Sequence, residues 1–227
     1  MILKENSILN FPPLLEEKEL LILDTIRFTL NIIDFSYINL FEKIYEQSTL
    51  QNKKNLTPLF MYSWSIVDSS SRLVKLLKKT IPKLVSIDTS KIEYVGAFRN
   101  TFQHLDERID ESLYNFNQPF YGKLKWNYKN LGTNKMESFI AISGIFYTKE
   151  HNFQIGDNDS DKTIQNLILE TVDKKKLVDI DLLLLYDNLE KTVLDLSIEL
   201  EKYTITNKLE LVDWKKRRDV LFNLKTE

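Results

Sequence analysis

Apolar residues recur every three or four positions over most of the first half of the chain, as one buried helical face requires. This pattern predicts a first helix over residues 12–49, with a broad apolar face that runs from Leu20 to Tyr45. A second helix is predicted to begin at Thr57, which is followed by a proline suited to the first helical position, and to end before Pro82.

Two further helices are marked by their capping residues. Ser90 to Glu93 has the Ser-x-x-Glu form of a capping box, which predicts a third helix that begins at Ser90 and continues to about Leu113. Asp181 is the expected N-cap of a fourth helix that runs to about Lys202. The expected apolar set of this fourth helix is Leu182, Leu185, Leu189, Val193, Leu196, Ile198 and Leu200.

Between the third and fourth helices the hydrophobic period changes to two. Leu124, Trp126 and Tyr128 alternate with polar residues, which predicts a strand with one wet face. Residues 139–147 are apolar on both faces, as in a central strand. Residues 164–180 contain two apolar segments around a lysine-rich turn and predict a hairpin, with a short helix as the alternative for the first segment.

The order of these elements predicts an α+β protein that is mainly α. Residues 1–118 and 181–203 are expected to form a four-helix bundle, and residues 119–180 a small antiparallel sheet inserted between its third and fourth helices. Residues 204–227 form a C-terminal tail, in which Trp214 and Leu221 are the side chains expected to pack on the body.

Composition excludes several classes of function. The 31 basic and 33 acidic residues give a net charge of -2, which argues against a protein that coats nucleic acid by bulk electrostatics. The chain has no cysteine and two histidines, which excludes disulfides and thiolate metal sites and argues against a histidine-rich one. The apolar run at residues 182–185 is far too short to span a bilayer. We therefore expect a cytoplasmic protein that does not enter a membrane.

One acidic segment has the spacing of a calcium loop but lacks its other requirements. Asp157, Asp159 and Asp161 alternate, yet Lys162 stands where the turn glycine belongs and Ile168 where the closing glutamate belongs. The segment is interpreted as a solvated loop. No metal and no cofactor are expected.

Residues 99–108 concentrate polar side chains on what is otherwise a core helix, including Arg99, Asn100, His104 and Arg108. A histidine of ordinary pKa, about 6.5, suits proton transfer near neutrality. At about 100° per residue, Arg99 and His104 point roughly 140° apart and lie about 7.5 Å apart along the helix axis. Bringing them to one target atom therefore requires the long reach of the guanidinium or a second copy of the helix.

A second polar stripe lies on the preceding helix. Trp64, Asp68 and Arg72 are spaced by four residues, and the small residues Ser69 to Ser71 allow close approach of another helix. Asp68 and Arg72 form either a surface ion pair or part of a stripe that faces the helix of Arg99.

The string Arg99-Asn100-x3-His104 on a helix resembles the R-x4-6-H motif of the HEPN superfamily, in which a polar residue, often asparagine, follows the arginine. The likeness covers the second and third helices closely and the bundle more loosely. It implies a homodimer whose motif helices meet near the two-fold axis and line one RNA-binding cleft. The implied reaction is metal-independent RNA cleavage, with His104 as general acid or base and Arg99 bound to the phosphate.

The same resemblance implies supporting roles for further residues. Asn100 is expected to orient the reacting groups, and Arg72 and Arg108 to contact phosphates. Gln103 and Asp68 complete the candidate set. A place in a toxin or antiviral defence system, with an antitoxin or other defence-system partner protein, is also implied.

The residues leave another interpretation open. HEPN toxins that are silenced by a nucleotidyltransferase carry a tyrosine two residues after the histidine, where this chain has Asp106. Arg99 paired with a carboxylate of a neighbouring helix, and His104 as a structural hydrogen-bonding residue, would suit a non-catalytic HEPN-like module. Such a module would bind a protein or a nucleotide.

Overall fold

Three helices precede a sheet and one follows it in the part of the chain that the structure, a computed structural model, describes. The described residues are 1–49, 55–80, 84–103, 121–130, 134–143, 162–173, 176–212, 219 and 221. The helices are α1 (Glu17–Thr49), α2 (Thr57–Thr80), α3 (Tyr94–Gln103) and α4 (Leu182–Thr206). Among these residues, no helix is both long and apolar enough to cross a bilayer.

The sheet is antiparallel throughout. Its strands are β1 (Lys123–Asn130), β2 (Met136–Ile142), β3 (Lys162–Asp173) and β4 (Lys176–Asp181). They are ordered β2-β1-β3-β4, so β1 and β3 are central. The predicted class, α+β and mainly α with a sheet between the third and fourth helices, is confirmed.

The hairpin and the strand with one wet face are confirmed, but the predicted central strand is wrong. Its described part is the edge strand β2, which pairs only with β1 among the described residues. Burial alternates along β2, and Ile140 is exposed while Ala141 is buried. A strand with apolar residues on both faces can therefore lie at the edge of a sheet, with a neighbouring strand on one side only.

The start of α3 also differs from the prediction. The chain makes turns through Lys91–Glu93 and enters α3 at Tyr94, so Ser90 does not begin the helix. Thr89, one residue earlier, donates its hydroxyl hydrogen to Glu93 Oε1 at 2.7 Å. The acid in the Ser-x-x-Glu string thus fixes a turn before the helix. The predicted extension to Leu113 lies outside the described residues.

Asp181 is the N-cap of α4, as predicted. Its carboxylate accepts hydrogen bonds from the backbone N–H groups of Leu183 and Leu184 at 2.9 and 3.2 Å. Six of the seven expected apolar residues of this helix are buried, whereas Ile198 is exposed and was assigned wrongly. At about 100° per residue, Ile198 lies roughly 160° from the centre of the buried stripe, on the opposite side of the helix.

The sheet and the helices share one hydrophobic core. Leu124, Trp126 and Leu169 of the sheet are buried together with Ile26 and Leu30 of α1 and with residues of α2 and α4. The prediction of one broad buried face on α1 is wrong at Leu21 and Tyr45, which are exposed.

The N-terminal segment is held to α1 by a buried carboxyl group. Asp34 accepts hydrogen bonds from the backbone N–H groups of Ile2 and Leu3 at 2.9 and 3.3 Å, and from the Tyr186 hydroxyl. The Tyr186 ring stacks on Tyr37 with 3.7 Å between centroids. The chain start, α1 and α4 are thus joined at one buried polar cluster.

The C-terminal tail contacts the body through polar groups. Asp219 accepts from the buried guanidinium of Arg27 at 3.2 and 3.3 Å, and Leu14 N–H donates to the Glu210 carbonyl at 2.8 Å. Leu221, expected to pack on the body, is almost fully exposed, and Trp214 lies outside the described residues. Burial lowers the pKa of Arg27, but its bonds to Asp219 and Asp24 outweigh this and raise it above the ordinary value.

Candidate functional site

The carboxylate of Asp68 joins two arginines where α2 meets α3. Its Oδ1 accepts a hydrogen bond from Arg99 Nε at 2.6 Å, and its Oδ2 lies 2.6 Å from Arg72 Nη2. Asp68 and Arg72 are one turn apart on α2, whereas Arg99 comes from α3. Both interpretations of the stripe therefore hold, because Asp68 pairs with Arg72 and also faces the helix of Arg99.

Small residues let α3 approach α2 closely, as the serine run suggested. A Cβ atom at Gly96 would lie 4.0 Å from the Ser71 hydroxyl, and Ser71 is buried. Beside this contact, the rings of Trp64 and Phe98 stack with their centroids 5.5 Å apart. This close packing brings α3 near enough to α2 for Arg99 Nε to reach Asp68 Oδ1.

An ion pair fixes the beginning of α3 against α2. Lys78 Nζ lies 2.7 Å from Glu93 Oε2, just before the first residue of α3. The pKa of the Glu93 carboxyl is lowered, first by its bond with Lys78 and then by the Thr89 hydroxyl. Because the Glu93 side chain is 43% exposed, this contact orients the turn more than it stabilises the fold.

An open cavity of about 1160 Å³ lies beside the three charged residues. One side of α2, from Thr57 to Arg72, forms its floor, and Arg99 lies in its wall. Tyr121 and Ser143, at the end of the sheet, also line it. We call this cavity the α2 groove. It measures about 22 Å along α2, given 1.5 Å of rise per residue.

The wall made by the sheet is held by backbone contacts. Trp64 Nε1–H donates to the Tyr121 carbonyl at 3.1 Å, and the Ser143 hydroxyl donates to the Gly122 carbonyl at 3.1 Å. Gly122 has a φ of +87°, and a Cβ atom there would lie 2.2 Å from the Glu170 carbonyl oxygen. Only glycine fits this turn, which places Tyr121 over the groove.

The three residues differ in charge and in how far their side chains are exposed to solvent. The exposed fractions of the side chains are 13% for Arg99, 30% for Asp68 and 65% for Arg72. Two guanidinium groups share one carboxylate, so these three side chains together carry a net positive charge of one. Guanidinium groups bind phosphate or carboxylate oxygens with directed hydrogen bonds, which makes this end of the groove suited to an anion.

The remaining predicted site residues do not join this cluster within the described residues. Asn100 is exposed and is not part of the groove lining. Gln103 is the last described residue of α3, and its side chain is outside the description. His104 and Arg108 lie outside the described residues. The structure therefore brings together Arg99, Asp68 and Arg72, with Trp64 beside them.

Several groove residues were not identified from the sequence. Tyr121, Ile142 and Ser143 lie at strand ends, and Asn55 and Leu56 lie just before α2. None of them belongs to a motif or to a periodic polar stripe. Their only common property is their position around α2, which the sequence does not display.

Within the described part of the chain, no three acidic or histidine side chains are grouped so that they would hold a metal ion. Comparison with models of protein families, with curated proteins and with solved structures gives no match to this chain.

Proposed function

We propose that this protein is a metal-independent endoribonuclease that binds RNA in the α2 groove. The observation that supports this proposal is the Arg72–Asp68–Arg99 cluster in the wall of an open cavity of about 1160 Å³. A cavity of this size accommodates a nucleotide. Arg99 is also the first residue of the Arg99-Asn100-x3-His104 string, which resembles the HEPN motif.

In the proposed reaction, the ribose 2′-oxygen attacks the adjacent phosphorus and the bond to the 5′-oxygen breaks. The 2′-hydroxyl proton passes to a general base, and the leaving 5′-oxygen takes up a proton. His104 performs one of these transfers, and Arg99 stabilises the charge that develops on the phosphate oxygens. The products are a 2′,3′-cyclic phosphate and a free 5′-hydroxyl.

The proposal includes a homodimer in which the motif helices of two chains meet and supply each other's missing groups. Such a pairing would overcome the separation of about 7.5 Å between Arg99 and His104 along a single helix. It further places the protein in the cytoplasm, in a toxin or antiviral defence role with a partner protein that controls it.

The test is cleavage of a varied RNA pool in the presence of a chelator. We expect products that end in a 2′,3′-cyclic phosphate and a loss of at least about 100-fold in rate for both His104→Ala and Arg99→Ala. His151→Ala, which removes the other histidine of the chain, is the matched control and keeps full activity.

The ribonuclease proposal is wrong if the purified protein leaves all RNA intact at every concentration tested. It is also wrong if His104→Ala cleaves as fast as the unaltered chain.

One observation favours a second candidate, a non-catalytic module that binds a nucleotide or a protein. The Arg99 side chain is only 13% exposed and already donates a hydrogen bond to Asp68. An arginine held in this way serves equally well to join two helices. This alternative predicts that His104→Ala leaves binding unchanged, while substitutions in the groove wall, such as Tyr121→Ala, weaken it.

A further inference from the structure

A row of exposed basic side chains continues the face of α2 that forms the floor of the α2 groove. At about 100° per residue, Lys79 points in the same direction as Met61 of the floor and about 20° from Arg72, and Lys75 lies about 60° from Arg72. All three basic residues are exposed to solvent. We call Arg72, Lys75 and Lys79 the α2 ridge. It begins at the end of the groove and extends about 10 Å further toward the C-terminal end of the helix.

The two lysines of the α2 ridge differ from the lysine beside them, which has an acidic partner. Lys78 points about 100° away from Lys79 and forms an ion pair with Glu93 at 2.7 Å. Among the described residues, neither Lys75 nor Lys79 forms an ion pair. On the helix itself, Lys75 is three residues from Arg72 and four from Lys79, so its closest charged neighbours repel it. The ammonium groups of the ridge therefore face solvent without a neutralising acid.

Helix stability does not account for the α2 ridge. Positive side chains are favoured in the last turn of a helix, where the macrodipole is negative, and this explains Lys78 and Lys79. Lys75 lies before that turn. Like charges three or four residues apart destabilise a helix slightly, and the ridge contains two such pairs, Arg72–Lys75 and Lys75–Lys79. The position of Lys75 therefore requires a reason outside the helix.

The surroundings of the α2 ridge favour a polyanion as its ligand. No large apolar side chain of α2 is exposed between Arg72 and Lys79, and Leu73, Val74 and Leu77 are buried. Protein interfaces and lipid-binding helices both require apolar side chains at the contact. The three cations stand in a line, about 4.5 and 6 Å apart along the helix axis, and do not surround one point. Such a row matches the successive phosphates of a nucleic-acid strand, whose binding releases counterions.

We propose that the α2 ridge binds the phosphates of a nucleic-acid strand that leaves the α2 groove past Arg72. This inference rests on the proposed binding of RNA in the groove and adds a second, sequence-independent contact to it. The groove, about 22 Å long, holds about four nucleotides, the lower end of site sizes for single strands. Lys75 and Lys79 add two phosphate contacts beyond them. The complete site thus favours strands that are longer than the groove.

The first test compares short and long strands that the ribonuclease reaction does not consume. Single-stranded oligodeoxynucleotides of four and of ten nucleotides lack the attacking 2′-hydroxyl, and fluorescence anisotropy measures their affinity. We expect Lys75→Gln/Lys79→Gln to weaken binding of the longer strand at least about 5-fold at low salt, and that of the shorter strand less than about 2-fold. The slope of log affinity against log salt for the longer strand should become shallower by about 1.4, or about 0.7 for each lost phosphate contact.

Two further variants separate the ridge from net charge and from side-chain shape. Lys191→Gln/Lys202→Gln removes two exposed lysines of α4, changes the net charge equally and should leave the affinity and the salt slope of the longer strand unchanged. Lys75→Arg/Lys79→Arg keeps both charges and should keep the affinity. Far-ultraviolet circular dichroism shows that each variant keeps its helix content.

The second test locates the strand on the protein. Because the chain has no cysteine, a photo-crosslinking group can be attached at one introduced cysteine without a background. We expect Lys79→Cys labelled in this way to cross-link to the longer strand and not to the shorter one. Lys191→Cys, labelled in the same way, should cross-link to neither.

The ridge proposal is overturned if Lys75→Gln/Lys79→Gln changes neither the affinity nor the salt slope of the longer strand, even where the protein cleaves RNA. It is also overturned if a polyglutamate peptide of equal charge depends on the two lysines to the same extent, since an acidic protein would then be the ligand. Binding that depends on the ridge, in a protein that cleaves no RNA, refutes the ribonuclease reaction and leaves the ridge in place. A chain that binds neither strand refutes both.

Discussion

Two aspartates, Asp34 of α1 and Asp68 of α2, each join segments that are far apart in the sequence, but they do so in different ways. Asp34 is buried and accepts from neutral donors, the N–H groups of Ile2 and Leu3 and the hydroxyl of Tyr186. Asp68 is 30% exposed and pairs with two guanidinium groups beside an open cavity.

The difference lies in what can replace each partner. Water does not reach the donors around Asp34, so losing the carboxyl group leaves them unpaired at full cost. The guanidinium of Arg72, which is 65% exposed, can exchange Asp68 for water, or for a phosphate, at little cost. The cluster of Asp34 is therefore suited to hold the fold, and the cluster of Asp68 is suited to bind an anion.

The largest expected effect is on Asp34. Asp34→Ala should lower the free energy of unfolding by about 3 kcal/mol, since three buried donors lose their acceptor. Asp68→Ala, the matched substitution at the other cluster, should cost less, about 1 to 2 kcal/mol, because Asp68 and Arg72 are in contact with solvent and only Arg99 is largely buried. Urea denaturation of both variants measures the difference. Equal losses of stability in the two variants would show that the clusters of Asp34 and Asp68 do not differ in this way.

The second-largest effect on stability is expected at high pH, where the tyrosines of the buried cluster ionise. Burial, aided by Asp187 and Asp181, raises the pKa of Tyr37 to about 12, and burial together with the bond to Asp34 raises that of Tyr186 as well. The folded state then keeps protons that the unfolded chain releases above about pH 10. The stabilisation is complete below that pH and is lost as the pH rises toward about 12, by about 1 kcal/mol per pH unit for each tyrosine.

Urea denaturation at several pH values, with tyrosinate absorbance recorded in parallel, tests this dependence. Tyr37→Phe keeps the ring that stacks on Tyr186 and removes one titrating group, so the slope of stability against pH should become shallower. A slope that Tyr37→Phe does not change would show that this tyrosine ionises equally in both states.

The smallest expected effect on stability, but a clear one on binding, is at the groove. Asp68→Asn removes the negative charge between Arg72 and Arg99 and should change the free energy of unfolding by less than about 1 kcal/mol. An uncleavable single-stranded oligodeoxynucleotide should bind about 3- to 10-fold more tightly at low salt, because the groove gains one net positive charge. Fluorescence anisotropy measures the affinity.

Asp195→Asn changes the net charge equally at an exposed position of α4 and should leave this affinity unchanged. Weaker binding to Asp68→Asn than to the unaltered chain would mean that Asp68 serves mainly to orient Arg99.

Local patterns in the sequence were enough to identify most of the elements. The 3.6-residue period located α1, α2 and α4, and the side chain of Asp181 fixed the start of α4. The alternation around Trp126 located β1. The stripe that contains Asp68 pointed to the neighbouring helix, and this part of the candidate site was visible because its spacing is helical.

Other features depended on residues far apart in the chain. Arg99 pairs with one particular carboxylate, 31 positions away, out of the 33 acidic residues of the chain. Tyr186 meets Asp34 across 152 positions. The edge position of β2, the α2 groove and the exposure of Leu21 on α1 likewise follow from packing, since a hydrophobic period shows that a face is apolar but not what covers it.

The sequence alone thus determined which segments form helices, which form strands and which side chains share a face, because these features depend on neighbours within about one helical turn. The tertiary structure alone decided which acid neutralises which base and where a cavity remains. The physical reason is that these contacts are set by the spacing between whole elements, which is fixed only when the core packs.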